Sequence, residues 1–314
     1  MLSRLIDKDI KVYCISDLHT DYKHNMQWWE DHPLVSEDHH NILIIAGDIS
    51  HNLTTLRKTL RIATLVYNDV FFIPGNHDLW CFGEYKSSIE KLKAVLSVCD
   101  EIGVMYQPVR YKNQNIVIFP LFSWYSESWD TETNINNPKE TSLLEGWNDF
   151  QYCSWPTTDI ESYFSQMNVR NIRDTVLLDE TTKMITFSHF LPLQELLPEK
   201  RFLIHSYLPK VVGSNVLMRQ IQEIGPNIHI FGHSHLPMDT VIDGIRYVQW
   251  SLGNVRERSL QCKPVSRQGP LCVYENGCVG EVVSTYWGDF YRSHKRDPDN
   301  KELAPWVRAF WESR

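Results

Sequence analysis

The sequence predicts an α/β fold in which two sheets lie face to face with helices outside. Three observations carry that expectation. Short runs rich in Ile, Val and Phe alternate with stretches of helical periodicity. The runs are apolar almost throughout, as in strands covered on both faces. The last third then changes to hairpin signals.

Strands are expected at Ile10–Ile15, Ile42–Ala46, Val70–Pro74, Ile116–Phe119, Met184–Ser188 and Ile228–Phe231, each ended by Gly, Asp, Pro or Ser. Between them, Leu53–Asn68 sets Leu53, Leu56, Leu60 and Ala63 on one helical face. Glu84–Cys99 does the same with Ile89, Leu92, Leu96 and Cys99. A third helix over Asn215–Ile224 stops at Gly225-Pro226. Asp243-Gly244, between Thr240–Ile242 and Ile245–Gln249, suits a tight hairpin. So does Asn276-Gly277, between Leu271–Glu275 and Cys278–Val283. Both hairpins are expected in a second, more antiparallel sheet. Residues 1–292 read as a single domain. The stretch 123–179, irregular and rich in Trp, Asn, Thr and Ser, reads as an insertion or lid. The tail, 293–314, is polar and then amphipathic at Trp306, Phe310 and Trp311, which suits docking on its own domain; no protein partner is assigned.

Composition narrows the function classes. With 42% hydrophobic residues in 314 the chain has material for a large core. No apolar run approaches the roughly 20 residues that cross a bilayer, and the N-terminus shows no cleavable leader, so a soluble, cytoplasmic protein without a membrane partner is expected. The seven cysteines are odd in number and never spaced CxxC, which argues against a disulfide framework or a structural zinc site. Thirty-one basic against 39 acidic residues give a net charge of −8, the wrong balance for tracking nucleic acid. Arg256/Arg258 and His294-Lys295-Arg296 read as solvated faces.

Five short stretches just past apolar runs carry the chemistry. SDLH supplies Asp17 and His19, and GD supplies Asp48. GNHD supplies Asn76, His77 and Asp78; SH supplies His189; GHSH supplies His233 and His235. In an extended segment residues i and i+2 point the same way, so Asp17/His19 and His233/His235 can each face one cation. Pro74-Gly75 ends its strand abruptly and exposes Asn76, His77 and Asp78 at the rim. There His77 can protonate a leaving oxygen, with Asp78 fixing its tautomer. Alone, SDLH, GD and SH suit an ordinary turn, helix cap or strand-end histidine, whereas the paired imidazoles of GHSH are hard to explain without a metal; no single stretch is decisive. Together they share one position, the C-terminal ends of strands, where open α/β sheets form ligand crevices. Hard oxygens and imidazoles delivered to one rim can hold two adjacent divalent cations, and such pairs hydrolyse phosphate esters. Trp80, Trp124, Tyr125 and Trp250 offer rim aromatics for a flat group. Arg201, Lys210 and Arg256 are candidates for a second phosphate.

The ordered set DxH, GD, GNHD, H, GHxH resembles the calcineurin-like metallophosphoesterase superfamily, over Asp17 to His235. The resemblance implies a four-layer α/β/β/α sandwich, two mixed sheets flanked by helices. One metal would take Asp17, His19, Asp48 and His235, and the second Asp48, Asn76, His189 and His233. His77 would be the acid, with Asp78 behind it. The metals are expected to be Mn, with Fe, Zn or Ni as alternatives. GDISHN and GNHDLWCF lack the arginines of the protein Ser/Thr phosphatase branch, so the chain looks closer to the phosphodiesterase-like members. The expected activity is cleavage of a small or nucleotide-like phosphate mono- or diester by a metal-bridging hydroxide. The alternatives are a nuclease, which the acidic balance disfavours, and a non-catalytic scaffold, which would carry eroded ligands.

Overall fold

Ile42, Leu43, Ile44, Ile45 and Ala46 are all fully buried, a run with no solvated face. Runs of this kind form the centres of two sheets in the computed structural model, which describes residues 1–31, 35, 37–137, 139–175, 178–179, 181–260, 265 and 268–313. The strands are β1 (Leu2–Arg4), β2 (Ile10–Ile15), β3 (His40–Ala46), β4 (Asp69–Ile73), β5 (Val109–Tyr111), β6 (Ile116–Pro120), β7 (Lys183–Phe187), β8 (Ile228–Phe231), β9 (Met238–Ile242), β10 (Ile245–Gln249), β11 (Leu271–Glu275) and β12 (Cys278–Val279). One sheet has the order β1-β5-β6-β7-β8-β10-β9 and the other β12-β11-β2-β3-β4. At their centres β2-β3-β4 and β6-β7-β8 run parallel.

The helices are α1 (Lys23–Glu30), α2 (Leu53–Val66), α3 (Ser88–Ile102), α4 (Leu143–Gly146), α5 (Asp149–Tyr152), α6 (Ile160–Thr175), α7 (Asn215–Ile224), α8 (Val255–Leu260), α9 (Tyr286–Ser293) and α10 (Pro305–Glu312), and the longer ones cover the outer faces of the sheets. Leu56, Leu60 and Ala63 of α2 and Leu92, Val95 and Cys99 of α3 share one core with the strands of both sheets. Across the interface between the sheets, Phe71 meets Phe187 edge to face at 6.4 Å. On the opposite outer face, Ile172 of α6 and Leu217 and Ile221 of α7 pack on Val117, Phe119 and Met184. The layers therefore run α/β/β/α, as expected. Among the described residues no helix is long and apolar enough to cross a membrane.

Several local expectations are corrected. The hairpins do not share a sheet: β9–β10 closes one edge of the seven-stranded sheet, and β11–β12 one edge of the other. Their turns are of the expected kind, with φ positive at Asp243 and Gly244 and at Asn276 and Gly277. Helix α3 begins at Ser88, because Ser87 caps it by accepting from Glu90 N at 3.2 Å. The stretch expected to be irregular holds the 16-residue α6. Arg258, expected on a solvated face, is buried and donates to Asn25 Oδ1 at 2.8 Å. Arg296 likewise reaches the Leu197 carbonyl at 2.7 Å and Glu132 at 2.9 Å. The tail docks: Val307 and Trp311 are buried, and Trp311 Nε1 donates to the Ile204 carbonyl at 3.0 Å. Six cysteines are free thiols; Cys262 lies outside the described residues.

At the N-terminal ends of the strands, buried Asp69 gathers three donors from different strands. His40 lies at 2.7 Å, Tyr111 Oη at 2.7 Å, and Arg4 pairs with the other carboxylate oxygen. Burial pushes this carboxyl up, but the bonds from His40 and Tyr111 and the charge of Arg4 outweigh it and hold it below its ordinary range. Removing one member of such a cluster strands the others, so Asp69→Ala should lower the unfolding free energy by roughly 3 kcal/mol at neutral pH. A depressed carboxylate stabilises the fold above its unfolded pKa and ceases to do so as pH falls through the folded one. The gap between parent and variant in denaturant titrations should therefore shrink below about pH 4. A gap that holds constant in acid would exclude a role for the charge.

Candidate metal centre

The chain turns sharply just past each central parallel strand. Asp17 and His19 follow β2, Asp48 follows β3 and Asn76 follows β4, all in the five-stranded sheet. His189 follows β7, and His233 and His235 follow β8, in the other sheet. Five of these residues hold left-handed backbone: Asp17 (φ 53°), His19 (42°), Asp48 (58°), His233 (76°) and His235 (56°). This corrects the extended i, i+2 reading. The pairs do converge, but through alternating left-handed residues beyond the strand ends. Such residues cost on the order of 1 kcal/mol each or more and persist where the surroundings over-determine them. Here backbone bonds lace the turns together, from Asp17 N to Gly47 O, His19 N to Asp48 O and Gly253 N to Asp17 O, each 3.0 Å.

The ligand atoms form two groups. Those of Asp17, His19, Asp48 and His235 lie within 4.8 Å of one another, as do those of Asp48, His189 and His233. Asp48 belongs to both; its Oδ2 is 3.4 Å from His189 Nε2 and 3.8 Å from His19 Nε2. Asn76 joins the second group, its Oδ1 at 3.1 Å from His189 Nε2 and 2.9 Å from His233 Nδ1. Neighbouring acceptors assign the outer ring nitrogens as donors. His189 Nδ1 faces the Ala46 carbonyl at 2.9 Å, His233 Nε2 the Val211 carbonyl at 3.0 Å, and His235 Nδ1 Glu257 at 2.8 Å. The Asn76 amide nitrogen donates to Asp149 at 2.8 Å, so its oxygen faces inward. Asn76 Oδ1, His189 Nε2 and His233 Nδ1 thus meet as three acceptors with no donor between them unless a ring is protonated. Either a proton on one ring or a cation satisfies this set, and imidazole, carboxylate and amide donors fit a divalent metal.

Glycines allow the approach. A Cβ at Gly75 would stand 2.2 Å from Asp48 Oδ1 and 2.7 Å from His189 Nε2. A Cβ at Gly47 (φ 84°) would likewise collide with the His189 ring.

Burial opposes charge on every ring here. At His189 the Asp48 carboxylate overrides it, and at His235 Asp17 and Glu257 do, so both are pushed up to about 9. His19 and His233 are held below the usual range by burial and by neighbouring rings, and burial takes His77 down to about 3. Burial pushes Asp48 up, yet the facing histidines hold it well below the usual carboxylate range.

His77 stands at the mouth, its side chain 29% exposed and its Nε2 3.9 Å from Asp48 Oδ2. Its ring stacks on Trp80 at 3.7 Å. Asp78 does not orient it, against expectation. Its two oxygens instead accept from four backbone N–H groups, those of Asp48, Ile49, Ser50 and Gly75, at 2.8–2.9 Å. Burial and the Asp48 charge push Asp78 up to about 7. Two contributors were missed: Glu257, behind His235, and Asp149, which accepts from Asn76, Trp80 and Trp147. Of the rim aromatics, Trp124 and Trp250 are buried in the core, while Tyr125 is partly open. Lys210 is paired with Glu127 at 3.0 Å, and Arg201 lies over the Phe202 ring.

A family model described as calcineurin-like phosphoesterase matches residues 10–237, a span that contains both ligand groups. The acyl-carrier-protein phosphodiesterase PptH of Mycobacterium tuberculosis is 22% identical over 260 residues, covering 78% of this chain and 78% of that protein. The crystal structure of phosphopantetheinyl hydrolase (PptH) from that organism superposes with a TM-score of 0.66 at 20% identity, over 83% of this chain and 95% of the other. That likeness is one of fold.

Elemental analysis after reconstitution and desalting should find about two divalent ions per parent chain and about one after His235→Ala or His233→Ala. Asp48→Asn should retain fewer than either. Loss confined to one ion in Asp48→Asn would show that it is not shared.

Proposed function

The chain belongs to the calcineurin-like phosphoesterase family, a family of metal-dependent hydrolases acting on phosphoester bonds, and on that premise we propose that it is a dinuclear phosphodiesterase. The observation that carries the reading is the pair of ligand groups joined through Asp48. Asp17, His19, Asp48 and His235 would hold one ion, and Asp48, Asn76, His189 and His233 the other. Bound there, two divalent cations supply an activated water near neutral pH and positive charge against the phosphoryl oxygens.

The chain's own residues do the rest. His77 is the one imidazole of the cluster that is neither in a ligand group nor fully enclosed, so its Nε2 can meet the leaving oxygen; burial and the neighbouring rings favour its neutral form, so it would serve as acid only with a proton taken up against the negative charge of the bound substrate. Stacking on Trp80 sets the plane of its ring, and its backbone N–H, donating to Asp48 Oδ1 at 2.9 Å, ties it to the shared carboxylate. Asp78 keeps the Asp48 turn in place through its four backbone bonds, a positioning role. Manganese suits the mixed donor set, as would Fe, Zn or Ni.

A small diester is favoured over nucleic acid by the net charge of −8. The relative's name, an acyl-carrier-protein phosphodiesterase, supports a diester and makes a phosphopantetheinyl arm joined to a protein one concrete candidate. A cytoplasmic setting suits a chain whose six described cysteines are free thiols. All nine motif positions retain their residue types, which weighs against a scaffold.

Turnover of p-nitrophenyl phosphate and its bis-ester, compared across Mn, Zn and Mg, tests this; the bis-ester should be preferred, and no turnover with any metal would favour the scaffold. His77→Ala should keep its metal and lose about 100-fold in kcat on an alkyl ester, whose leaving oxygen needs a proton. The loss should be far smaller on a p-nitrophenyl ester. Equal losses on both would remove His77 from the acid role.

A further inference from the structure

Phe82 breaks two local rules at once. It is 47% exposed, and its backbone is left-handed, at φ 46°. With Gly83 (φ 78°) it forms the central pair of a turn closed by Glu84 N on the Cys81 carbonyl at 2.9 Å. The first central position of such a turn ordinarily takes Asn, Asp or Gly, because a bulky side chain at positive φ is strained. A phenyl ring there carries the strain without the full burial that would offset it.

The ring is nevertheless held in place. It stacks on Tyr152 at 4.3 Å and meets the His51 ring at 4.7 Å. The Cys81 N–H donates to the Tyr152 carbonyl at 2.8 Å, which ties the turn to α5. His51, three residues past Asp48, is anchored as well. Its carbonyl accepts from Lys91 Nζ at 2.7 Å, and its Nδ1 lies 3.3 Å from Asp21.

These rings run without a break to the metal centre. The Trp80 indole has the His77 ring stacked on it at 3.7 Å, the His51 ring at 6.5 Å and the Phe82 ring edge to face at 5.9 Å. His77 in turn lies 4.7 Å from the ring of His19, in the first ligand group. Phe82, His51 (39%) and His77 are all open to solvent, so the mouth of the centre continues into an aromatic ledge. A group that meets His77 at the ligand cluster is therefore one indole away from an exposed phenyl ring.

We propose that Phe82 is a specificity-determining residue: with His51 it forms a ledge for the leaving arm of the diester and selects an arm that is flat and aromatic. This rests on the phosphodiesterase reading, in which His77 Nε2 meets the leaving oxygen, and it adds the shape of the alcohol that leaves. Tyr22, also exposed, lies instead against His19, at 6.4 Å ring to ring, and serves as the contrasting position.

Two methyl phosphate diesters with one carbon skeleton test it, the 2-naphthylmethyl ester and its saturated decahydro counterpart, with the released alcohols measured by chromatography. The flat ester should have the higher kcat/KM by about tenfold, and should release naphthylmethanol in preference to methanol. Phe82→Ala should retain its metal and bring the flat-to-saturated ratio toward one, and Phe82→Tyr should restore much of it. Equal kcat/KM for the two esters in the parent, preferential release of methanol, or a ratio that responds to Tyr22→Ala and not to Phe82→Ala would overturn the proposal. So would an equal loss on both esters in Phe82→Ala, the mark of a purely structural role. Should the parent turn over neither ester with any metal, the phosphodiesterase reading itself fails. Calorimetry of the metal-loaded protein with 2-naphthylmethyl methylphosphonate then decides the ledge separately. Binding weakened about tenfold by Phe82→Ala supports it, and no binding, or binding indifferent to Phe82, refutes it.

Discussion

Asp48 is the constraint from which the rest of the rim follows. Its carboxylate belongs to both ligand groups, so the ends of two separate sheets must bring their histidines within a few ångströms of one buried charge. A buried carboxylate without partners is costly, and so is a set of inward-facing imidazole lone pairs. Each makes the other tolerable only when positive charge stands between them. The carboxylates facing His189 and His235 push both rings up to about 9 despite burial, so this pocket favours positive charge.

Holding such a cluster demands a stiff backbone, and the surrounding residues supply it by two means. Gly47 and Gly75 remove the side chains that would otherwise fill the site. Asp78 then uses its whole carboxylate on four backbone N–H groups, three from the Asp48 turn after β3 and one from the turn after β4. The left-handed ligands are strained, and strained residues are tolerable only on turns tied down in this way. At the opposite ends of the strands, the Asp69 cluster joins β1, β3, β4 and β5 by the same logic of one carboxylate with several donors. One end is organised to bind, the other to hold.

The legible part of this arrangement was carried by residue type combined with position. His and Asp directly after an apolar run are unusual enough, five times over, to locate the rim and both ligand groups. Strand order was less legible, because turn chemistry is local whereas the choice of sheet edge is made by distant partners. Helix α6 escaped notice because its buried stripe, Phe164, Asn168 and Ile172, has a polar member; Asn168 is accommodated by bonds to both backbone groups of Phe122 and to Gln220. Asp78 was misread because its partners are backbone groups, which have no signature in a sequence. Glu257 and Asp149 are single carboxylates in polar stretches, indistinguishable there from solvated ones.

Those two missed carboxylates explain how segments outside the strand-end motifs reach the centre. Glu257, on α8, stands behind His235 of the first group, and Asp149, on α5, stands behind Asn76 of the second. Each is supplied by a segment outside the strand-end motifs, so the motifs alone do not complete the centre. Asp149 also anchors Trp80, the ring on which His77 stacks. One buried carboxylate therefore connects the second ligand group with the imidazole at the mouth, so a shift of α5 that displaced Asp149 would reach Asn76 and the Trp80 ring together.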